Sequence, residues 1–205
     1  LSNSLHTNRA ALFAGQNRCV FLAGNLHHSC NFGCSFRFGR QNRLQATNVA
    51  WAVGFSGRTL NNNPRKYIVS GDKKNFVWPA FLNDEIISKC KSVILTESNF
   101  DVIYLYEHGI KNVLCLFGTE LSLGILNYLL RKNIDKIIVS CNNDGHGVGQ
   151  EAIYKIKKKL SKYFDAKNVF IKLPTKKDFC EMNKEELQKF MDELQMQVGY
   201  EYFQY

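Results

Sequence analysis

The sequence contains no run of apolar residues long enough to cross a bilayer. Its N-terminus also lacks the charged start and the long apolar stretch of a signal peptide. The cysteines number seven, which is odd, and Cys115 and Cys141 lie within apolar segments that resemble strands. This usage argues against a disulfide framework and predicts buried free thiols in a reducing compartment. A cytoplasmic location follows as the expectation.

Acidic residues and lysine are missing from the first 60 residues, which contain six arginines. Residues 61–205 contain 19 lysines, two arginines and all 18 acids, so the two parts carry net charges of +6 and +3. The total of +9 indicates a polyanionic partner but does not bear on the fold. One interpretation of residues 1–50 is an arginine-rich arm that binds nucleic acid. The other is an anomalous segment of different coding origin, which the lack of a clear helical or strand period favours.

From about Trp51 onward the sequence follows a regular pattern. A short strand and turn at 51–60 precede a polar loop, and short apolar segments then alternate with amphipathic ones. The predicted strands are 92–97, 112–118, 136–141 and 168–174, and the predicted helices are 99–109, 120–133, 149–164 and 183–195. This alternation is typical of an α/β fold with a mainly parallel four-stranded sheet and flanking helices. A small basic β-containing segment would precede that sheet.

Acidic or amide side chains follow three of the four predicted strands. They are Glu97 after the first, with Asp101 one helical turn later, Asn142, Asn143 and Asp144 after the third, and Asp178 and Glu181 after the fourth. The carboxyl ends of parallel strands meet at one edge of a sheet, where open α/β folds bind ligands. Clustered carboxylates repel each other unless a cation lies among them, and ligands that are all oxygen suit Mg²⁺ or Mn²⁺.

Each acid alone also has a structural interpretation. Glu97 would favour the N-terminus of the following helix through the helix dipole, and Asp144 is a common turn residue. Asp178 would cap the last helix or pair with Lys176. Only the convergence of the acids on one sheet edge favours a metal site over these alternatives.

Two segments resemble a Toprim domain, the metal-binding fold of primases, topoisomerases and some nucleases: ILTESNFDVIYLYEHGIKNVLCLFGTELS and IIVSCNNDGHGVGQEA. Glu97 matches the family's Glu, Asn142 and Asp144 stand at its Asp-x-Asp positions, and Asp178 resembles an acidic motif of bacterial primases. The resemblance implies that these four residues bind Mg²⁺ or Mn²⁺ and that the three acids among them are catalytic. The positions implied to support them are Asp101, Gly118 and Gly149.

A further segment, VGFSGRTLNNNPRKYIVSGDKKNF, resembles the basic region just ahead of the Toprim domain in DnaG-type primases, which topoisomerases and Toprim nucleases do not share. Arg58 and Lys66 stand where that family's basic residues face nucleic acid and nucleotide phosphates, and Arg65 would join them. The resemblance implies a basic part of a primase core at 51–91, a Toprim domain at 92–195 and a tail at 196–205, after the anomalous 1–50.

The sequence departs from the primase pattern at several positions. Asn142 replaces the first Asp and removes one anionic oxygen, so that a metal should be held less tightly. Cys180 stands where primases often have another acid, and Ser98 replaces a usual Gly. The family's zinc-binding domain is not recognisable, because the cysteines of HHSCNFGC at 27–34 have an unusual spacing. These departures indicate a fragment of a phage or mobile-element primase.

The resemblance implies a primase catalytic core that joins nucleoside triphosphates (NTPs) into short RNA primers on single-stranded DNA. Its partners would be the template, NTPs, the RNA–DNA product and a replicative helicase reached through other regions, with no membrane. Two alternatives stay open, a nucleic-acid-binding Toprim remnant without full catalysis and a Toprim nuclease that uses the same acids to hydrolyse phosphodiesters. The lysine-rich face of the 149–164 helix is interpreted as a solvated surface.

Overall fold

The computed structural model describes the backbone of residues 12–15, 18–23, 51–58, 67–145 and 147–200, and the side chains of residues 72–145 and 150–200. The chain divides into two compact units, Leu1–Asp72 and Lys73–Tyr205. Across the described residues, every helix is too short or too polar to span a membrane.

The described residues of the first unit form a four-stranded sheet in the order β1-β2-β3-β4. The strands are β1 (Leu12–Gly15), β2 (Arg18–Ala23), β3 (Trp51–Arg58) and β4 (Tyr67–Gly71). β2 and β3 run parallel, and the outer pairs run antiparallel. The strand predicted at Trp51 is confirmed by β3.

The second unit contains four strands and five helices among its described residues. In chain order they are α1 (Ala80–Cys90), β5 (Ser92–Thr96), α2 (Asn99–Glu107), β6 (Val113–Cys115), α3 (Leu123–Lys132), β7 (Lys136–Ser140), α4 (Gly147–Leu160), β8 (Val169–Ile171) and α5 (Lys184–Val198). Short 3₁₀ helices lie at Ala166–Asn168 and Phe179–Glu181. The four strands form an all-parallel sheet in the order β6-β5-β7-β8. The predicted fold class is therefore confirmed.

Helices cover both faces of this parallel sheet. One apolar cluster joins strand side chains such as Leu95 to buried side chains of α1, α3 and α4. Strand side chains alternate between faces, so the equally buried Ile94 points to the opposite face. Leu105 of α2 and Phe190 of α5 are also buried and lie outside that cluster. With both faces covered, the ends of the strands are where a ligand can reach the sheet.

Several predicted elements are shorter or shifted in the structure. β6 and β8 have three residues each rather than the predicted seven at 112–118 and 168–174, because each has only three partner residues on the neighbouring strand. Helix α3 begins at Leu123 rather than 120, since the Ser122 side chain accepts a hydrogen bond from the N–H of Ile125 and caps the helix there. Helix α4 spans Gly147–Leu160 rather than 149–164.

Hydrophobic periodicity does not predict α1, because a polar residue occupies a core-facing position of this helix. Asn83 is fully buried and donates a hydrogen bond from Nδ2 to the carbonyl oxygen of Val113, at 2.7 Å. Just before the helix, the buried Trp78 bridges to Cys115, whose N–H donates to the Trp78 carbonyl at 2.9 Å. The segment that precedes α1 therefore pairs with β6, the outermost strand on that side of the sheet, through a single antiparallel bridge.

Candidate metal centre

The ends of β5 and β7 bring Glu97 and Asn142 together. These strands are adjacent and parallel, so the residues that follow them lie at the same edge of the sheet. The backbone N–H of Asn142 donates a long hydrogen bond to Oε2 of Glu97, at 3.4 Å. Glu97 is partly buried, whereas Asp144 is exposed. We call Glu97, Asn142 and Asp144 the oxygen group.

The carboxyl of Glu97 has a raised pKa in this setting. Burial is the largest cause, and the negative charge of Asp144 raises the pKa further, while the Asn142 N–H opposes the shift. A cation bound between the two carboxylates would remove the repulsion and favour the ionised form of Glu97. The oxygen group is therefore a place where a positive charge is electrostatically favoured.

A second set of ligands lies on α2 and the second 3₁₀ helix. The three residues are Asp101, Asp178 and Cys180, and one ligand atom from each lies within 4.8 Å of the other two. Among the residues described with side chains, no other three His, Cys or acidic residues come this close together. We call these three residues the sulfur group. Asp101 and Asp178 come from distant parts of the sequence and meet because α2 packs against this 3₁₀ helix.

Asp101 is the most buried carboxyl of the sulfur group, with 2% of its surface exposed. Its Oδ2 accepts a hydrogen bond from the Ser98 hydroxyl at 2.7 Å, and its Oδ1 accepts one from the Phe179 N–H at 3.1 Å. Burial raises the pKa of Asp101 to about 6, and the negative charge of Asp178 adds to the rise. The thiol of Cys141 has a raised pKa through burial and through the charges of both Glu97 and Asp101, so it lies close to both groups.

Hydrogen bonds to backbone carbonyls hold the loops at this edge of the sheet in place. Asn143 accounts for two of them, because its N–H donates to the Lys177 carbonyl at 2.7 Å and its Nδ2 donates to the Pro174 carbonyl at 3.1 Å. Gly118 has a φ of +133°, and its N–H donates to the carbonyl of Glu97 at 3.0 Å. Few side chains tolerate that φ, so glycine at position 118 allows the backbone conformation in which this hydrogen bond to Glu97 forms.

Residues 94–183 match the family described as Toprim-like. The chain is 40% identical to the DNA primase of Helicobacter pylori over 118 residues, which are 55% of this chain and 21% of that protein. Relative to the DNA primase of Buchnera aphidicola, it is 32% identical over 136 residues, or 62% of this chain and 22% of that protein. Residues 94–183 form a Toprim-like domain, and the relatives that this part of the chain resembles are bacterial DNA primases.

Solved structures show the same fold as this Toprim domain. A DnaG catalytic core superposes with a TM-score of 0.55 at 20% identity, over 69% of this chain and 48% of that one. The Aquifex aeolicus primase, with its zinc-binding and RNA polymerase domains, gives a TM-score of 0.51 at 27% identity, over 69% and 36% of the two chains. The chain spans about a fifth of the length of the curated relatives it matches.

The predicted site residues of the Toprim domain fall into two neighbouring groups. The oxygen group holds three of the four predicted metal ligands, and the fourth, Asp178, lies in the sulfur group instead. Asp178 also caps the 3₁₀ helix by accepting from the N–H of Glu181 at 3.1 Å, and Lys176 pairs with Glu186 rather than with Asp178. Both structural interpretations of Asp178 were therefore wrong, because Asn183 caps the last helix and Glu186 pairs with Lys176.

The remaining predicted residues are distributed across the chain. Asp101, predicted only as a supporting residue, has a carboxyl placed among possible ligands, and the signal for this was its position one helical turn after Glu97. Gly149 lies in the first turns of α4. Arg58 lies at the end of β3 in the first unit, and Arg65 and Lys66 lie outside the described residues, as do most of residues 1–50.

Toprim domains bind divalent metals, and the donor sets of this one fit such an ion. The oxygen group offers two carboxylates and an amide, the ligand chemistry that Mg²⁺ and Mn²⁺ prefer. The predicted buried free thiols are also confirmed, because Cys115 and Cys141 are buried and unpaired by disulfides. Cys180 differs from them in being exposed.

A cavity of about 1110 Å³ opens beside Asp144, between α4 and the loop that precedes α3. Charged residues of both signs line it together with Asp144: Lys155, Lys159, Lys177, Glu120 and Glu151. Small-molecule pockets are typically about 300–1,000 Å³, so this cavity is large enough for a nucleotide. The lysines on one side of α4 thus border a cavity next to the acids.

Proposed function

We propose that this chain carries the metal-binding catalytic part of a DNA primase, which joins NTPs into short RNA primers on a single-stranded DNA template. The observation that carries the proposal is the meeting of acids that follow β5, β7 and β8 at one edge of the Toprim sheet. The relatives are named DNA primases, and one similar structure is a DnaG primase catalytic domain bound to single-stranded DNA.

The proposed roles follow from position and chemistry. Glu97, Asn142 and Asp144 hold Mg²⁺ or Mn²⁺, which supplies charge neutralisation at the triphosphate, and Asp178 binds a cation within the neighbouring sulfur group. The cavity beside Asp144 takes the incoming nucleotide, and its lysines contact phosphate oxygens. Gly118 and Gly149 are positioning residues, and Asp101 offers its carboxyl to the sulfur group. The template and the RNA–DNA product are further partners, and we place the protein in the cytoplasm, where that template is found.

Basic residues of the first unit complete the proposed nucleic-acid contacts. Arg58, Arg65 and Lys66 bind phosphates of the template or the nucleotide, with arginine offering a planar fork that suits two phosphate oxygens. A replicative helicase would contact the protein through regions outside this sequence.

A weakened enzyme is the second candidate, and Asn142 is the specific observation that favours it. An amide oxygen is neutral, so the oxygen group has two carboxylates where the family pattern has three. Lower cation affinity would leave nucleic-acid binding intact while reducing synthesis.

A priming assay tests the proposal. The full chain is incubated with single-stranded DNA, labelled NTPs and Mg²⁺ or Mn²⁺, beside Asp144→Ala and the matched control Asp135→Ala. Asp135 is exposed and immediately precedes β7, at the opposite end of that strand from Asp144. We expect short RNA from the wild type and from Asp135→Ala, and its loss in Asp144→Ala.

The other products identify the alternatives. A cleaved DNA strand that depends on Asp144 would show a Toprim nuclease. A mobility shift without new RNA or cleavage would show a nucleic-acid-binding protein, and the primase proposal would then be wrong for this chain.

A further inference from the structure

The sulfur group differs from the oxygen group in containing a thiol. Its three ligand atoms lie within 4.8 Å of one another, a spacing at which one cation can contact all of them after small side-chain adjustments. Cys180 is exposed, whereas Cys90, Cys115 and Cys141 are buried. Among the cysteines described with side chains, Cys180 is therefore the one that an ion from solvent can reach.

The carboxylates of the sulfur group are held in place before any ion binds. Asp101 accepts hydrogen bonds from Ser98 and from the Phe179 N–H, and Asp178 accepts one from the Glu181 N–H. The 3₁₀ helix that follows Asp178 and contains Cys180 is anchored by the buried Phe179. The Phe179 ring packs edge-on against Phe190, with the ring centroids 5.2 Å apart. Such fixed ligands lose little conformational entropy when they bind an ion.

Sulfur changes which ion the site prefers. Thiolate ligands favour borderline and soft ions such as Zn²⁺, Co²⁺ and Cd²⁺, whereas Mg²⁺ takes oxygen ligands almost exclusively. Three protein ligands plus water is also the ligand count of an open zinc site. A carboxylate at position 180 would instead give an all-oxygen set suited to Mg²⁺ or Mn²⁺.

We propose that the sulfur group is a second cation site that selects a thiophilic divalent ion, next to an oxygen group that selects Mg²⁺ or Mn²⁺. This inference rests on the metal-binding role proposed for the sheet edge, but not on the synthesis of RNA. On binding, the Cys180 thiol gives up its proton to solvent and the sulfur contacts the ion as a thiolate. The two carboxylates, which repel each other in the absence of an ion, then share one positive centre.

Cobalt absorption spectroscopy tests this site, because a thiolate bound to Co²⁺ produces a charge-transfer band in the near ultraviolet. The full chain is titrated with Co²⁺ and the band is recorded for the wild type, Cys180→Ser, Cys180→Asp and Asp178→Asn. We expect the band in the wild type and its loss in both Cys180 variants. Asp178→Asn should keep the band but need roughly tenfold more Co²⁺.

Two controls separate this site from others. A Cys30→Ser/Cys34→Ser double variant removes the two thiols that follow His27 and His28 in the sequence, and we expect it to retain the band. Calorimetric titration with Mg²⁺ should give at least the wild-type affinity in Cys180→Asp, because that variant completes an oxygen set. Circular dichroism confirms that each variant is folded before its spectrum is compared.

The outcomes distinguish this inference from the proposed function. A wild type without the band, or a band that persists in Cys180→Ser, overturns the thiophilic site even if the chain makes primers in Mg²⁺. If the band depends on Cys180 but the chain makes no RNA, the thiophilic site is supported and only the primase proposal is wrong.

Discussion

Asn142 and Asn143 are adjacent amides with different roles at the end of β7. Asn143 uses both its backbone N–H and its side chain to hold the loop after β8. Asn142 places its N–H against Glu97, in the group with Asp144. Asn143 therefore has a structural role in joining two loops, whereas Asn142 is the residue whose identity should affect cation binding.

Replacing Asn142 with Asp should strengthen Mg²⁺ binding. The added carboxylate raises the negative charge of the oxygen group, and we expect roughly tenfold tighter binding by calorimetry, since ligand charge tunes cation affinity. Without a cation the same charge adds repulsion, so the variant should melt at a lower temperature than the wild type in EDTA and recover in Mg²⁺.

Asn127→Asp is the matched control for that substitution. It makes the same chemical change at an exposed position of α3 and should leave Mg²⁺ affinity unaltered. Equal gains in the two variants would mean that net charge alone attracts the ion and that Asn142 is not a ligand position.

Asp101 should make stability depend on pH in the absence of metal. Its folded-state pKa of about 6 lies above the value of 3.8 for a free carboxyl, so the folded chain binds this proton more tightly than the unfolded chain. The free energy of unfolding should therefore fall as pH rises from about 4 to about 6, by about 3 kcal/mol at most. Above pH 6 that contribution is lost.

Urea unfolding in EDTA at several pH values measures this effect in the wild type and in Asp101→Asn. The variant has no carboxyl to ionise at this buried position, so its stability should vary less between pH 4 and pH 6 than that of the wild type. Asp135→Asn, at an exposed acid, should keep the wild-type slope. An unchanged slope in Asp101→Asn would assign the pH dependence to other groups.

At the scale of elements, the segment before α1 and the start of α3 approach each other closely. The N–H of Gly124 donates to the carbonyl of Lys74 at 2.7 Å. A Cβ on Gly124 would lie 2.6 Å from the carbonyl oxygen of Asn75 and 2.8 Å from its Cα. These are backbone atoms, so one of the two segments would have to move.

Gly124→Ala should therefore destabilise the protein although alanine favours helices by about 1 kcal/mol over glycine. Steric overlap of this kind costs about 1–3 kcal/mol, and we expect a net loss in chemical denaturation. Asn127→Ala on the exposed side of the same helix should be neutral or slightly stabilising. A stabilised Gly124→Ala would show that the 74–75 segment yields without cost.

The elements themselves were largely predictable because their signals are local. The apolar segments that became β5 and β7 are buried along nearly their whole length, and Ser98, Ser122 and Asn183 cap their helices with side-chain hydrogen bonds. The boundaries of β6 and β8 were not predictable, because a strand ends where its partner stops pairing. Helix α1 was not predicted, because its core-facing Asn83 is polar and the carbonyl that satisfies it lies on β6, which is distant in sequence.

At the scale of the whole molecule, charge is divided unevenly between the two units. Residues 1–72 contain eight basic residues and one acid, a net charge of +7, while residues 73–205 contain 19 and 17, a net charge of +2. Attraction to a polyanion at long range should therefore come mainly from the first unit.

Removing residues 1–72 should weaken binding to single-stranded DNA and reduce its dependence on salt. For every DNA phosphate that the shortened protein no longer neutralises, the plot of log affinity against log salt concentration should become flatter by about 0.7. Fluorescence anisotropy at several salt concentrations measures both quantities, and circular dichroism checks that residues 73–205 remain folded. An unchanged slope would instead place the DNA-binding residues on the second unit, with its lysines on α4.

The sequence by itself determined the order and type of most elements and which acids follow which strands, because periodicity and capping act over a few residues. Tertiary structure alone decided how those acids are grouped. Glu97 and Asn142 meet because β5 and β7 are neighbours in the sheet, while Asp178 joins Asp101 and Cys180 because the chain after β8 packs against α2. Distances between side chains that are remote in sequence depend on strand order and helix packing, which no local pattern specifies.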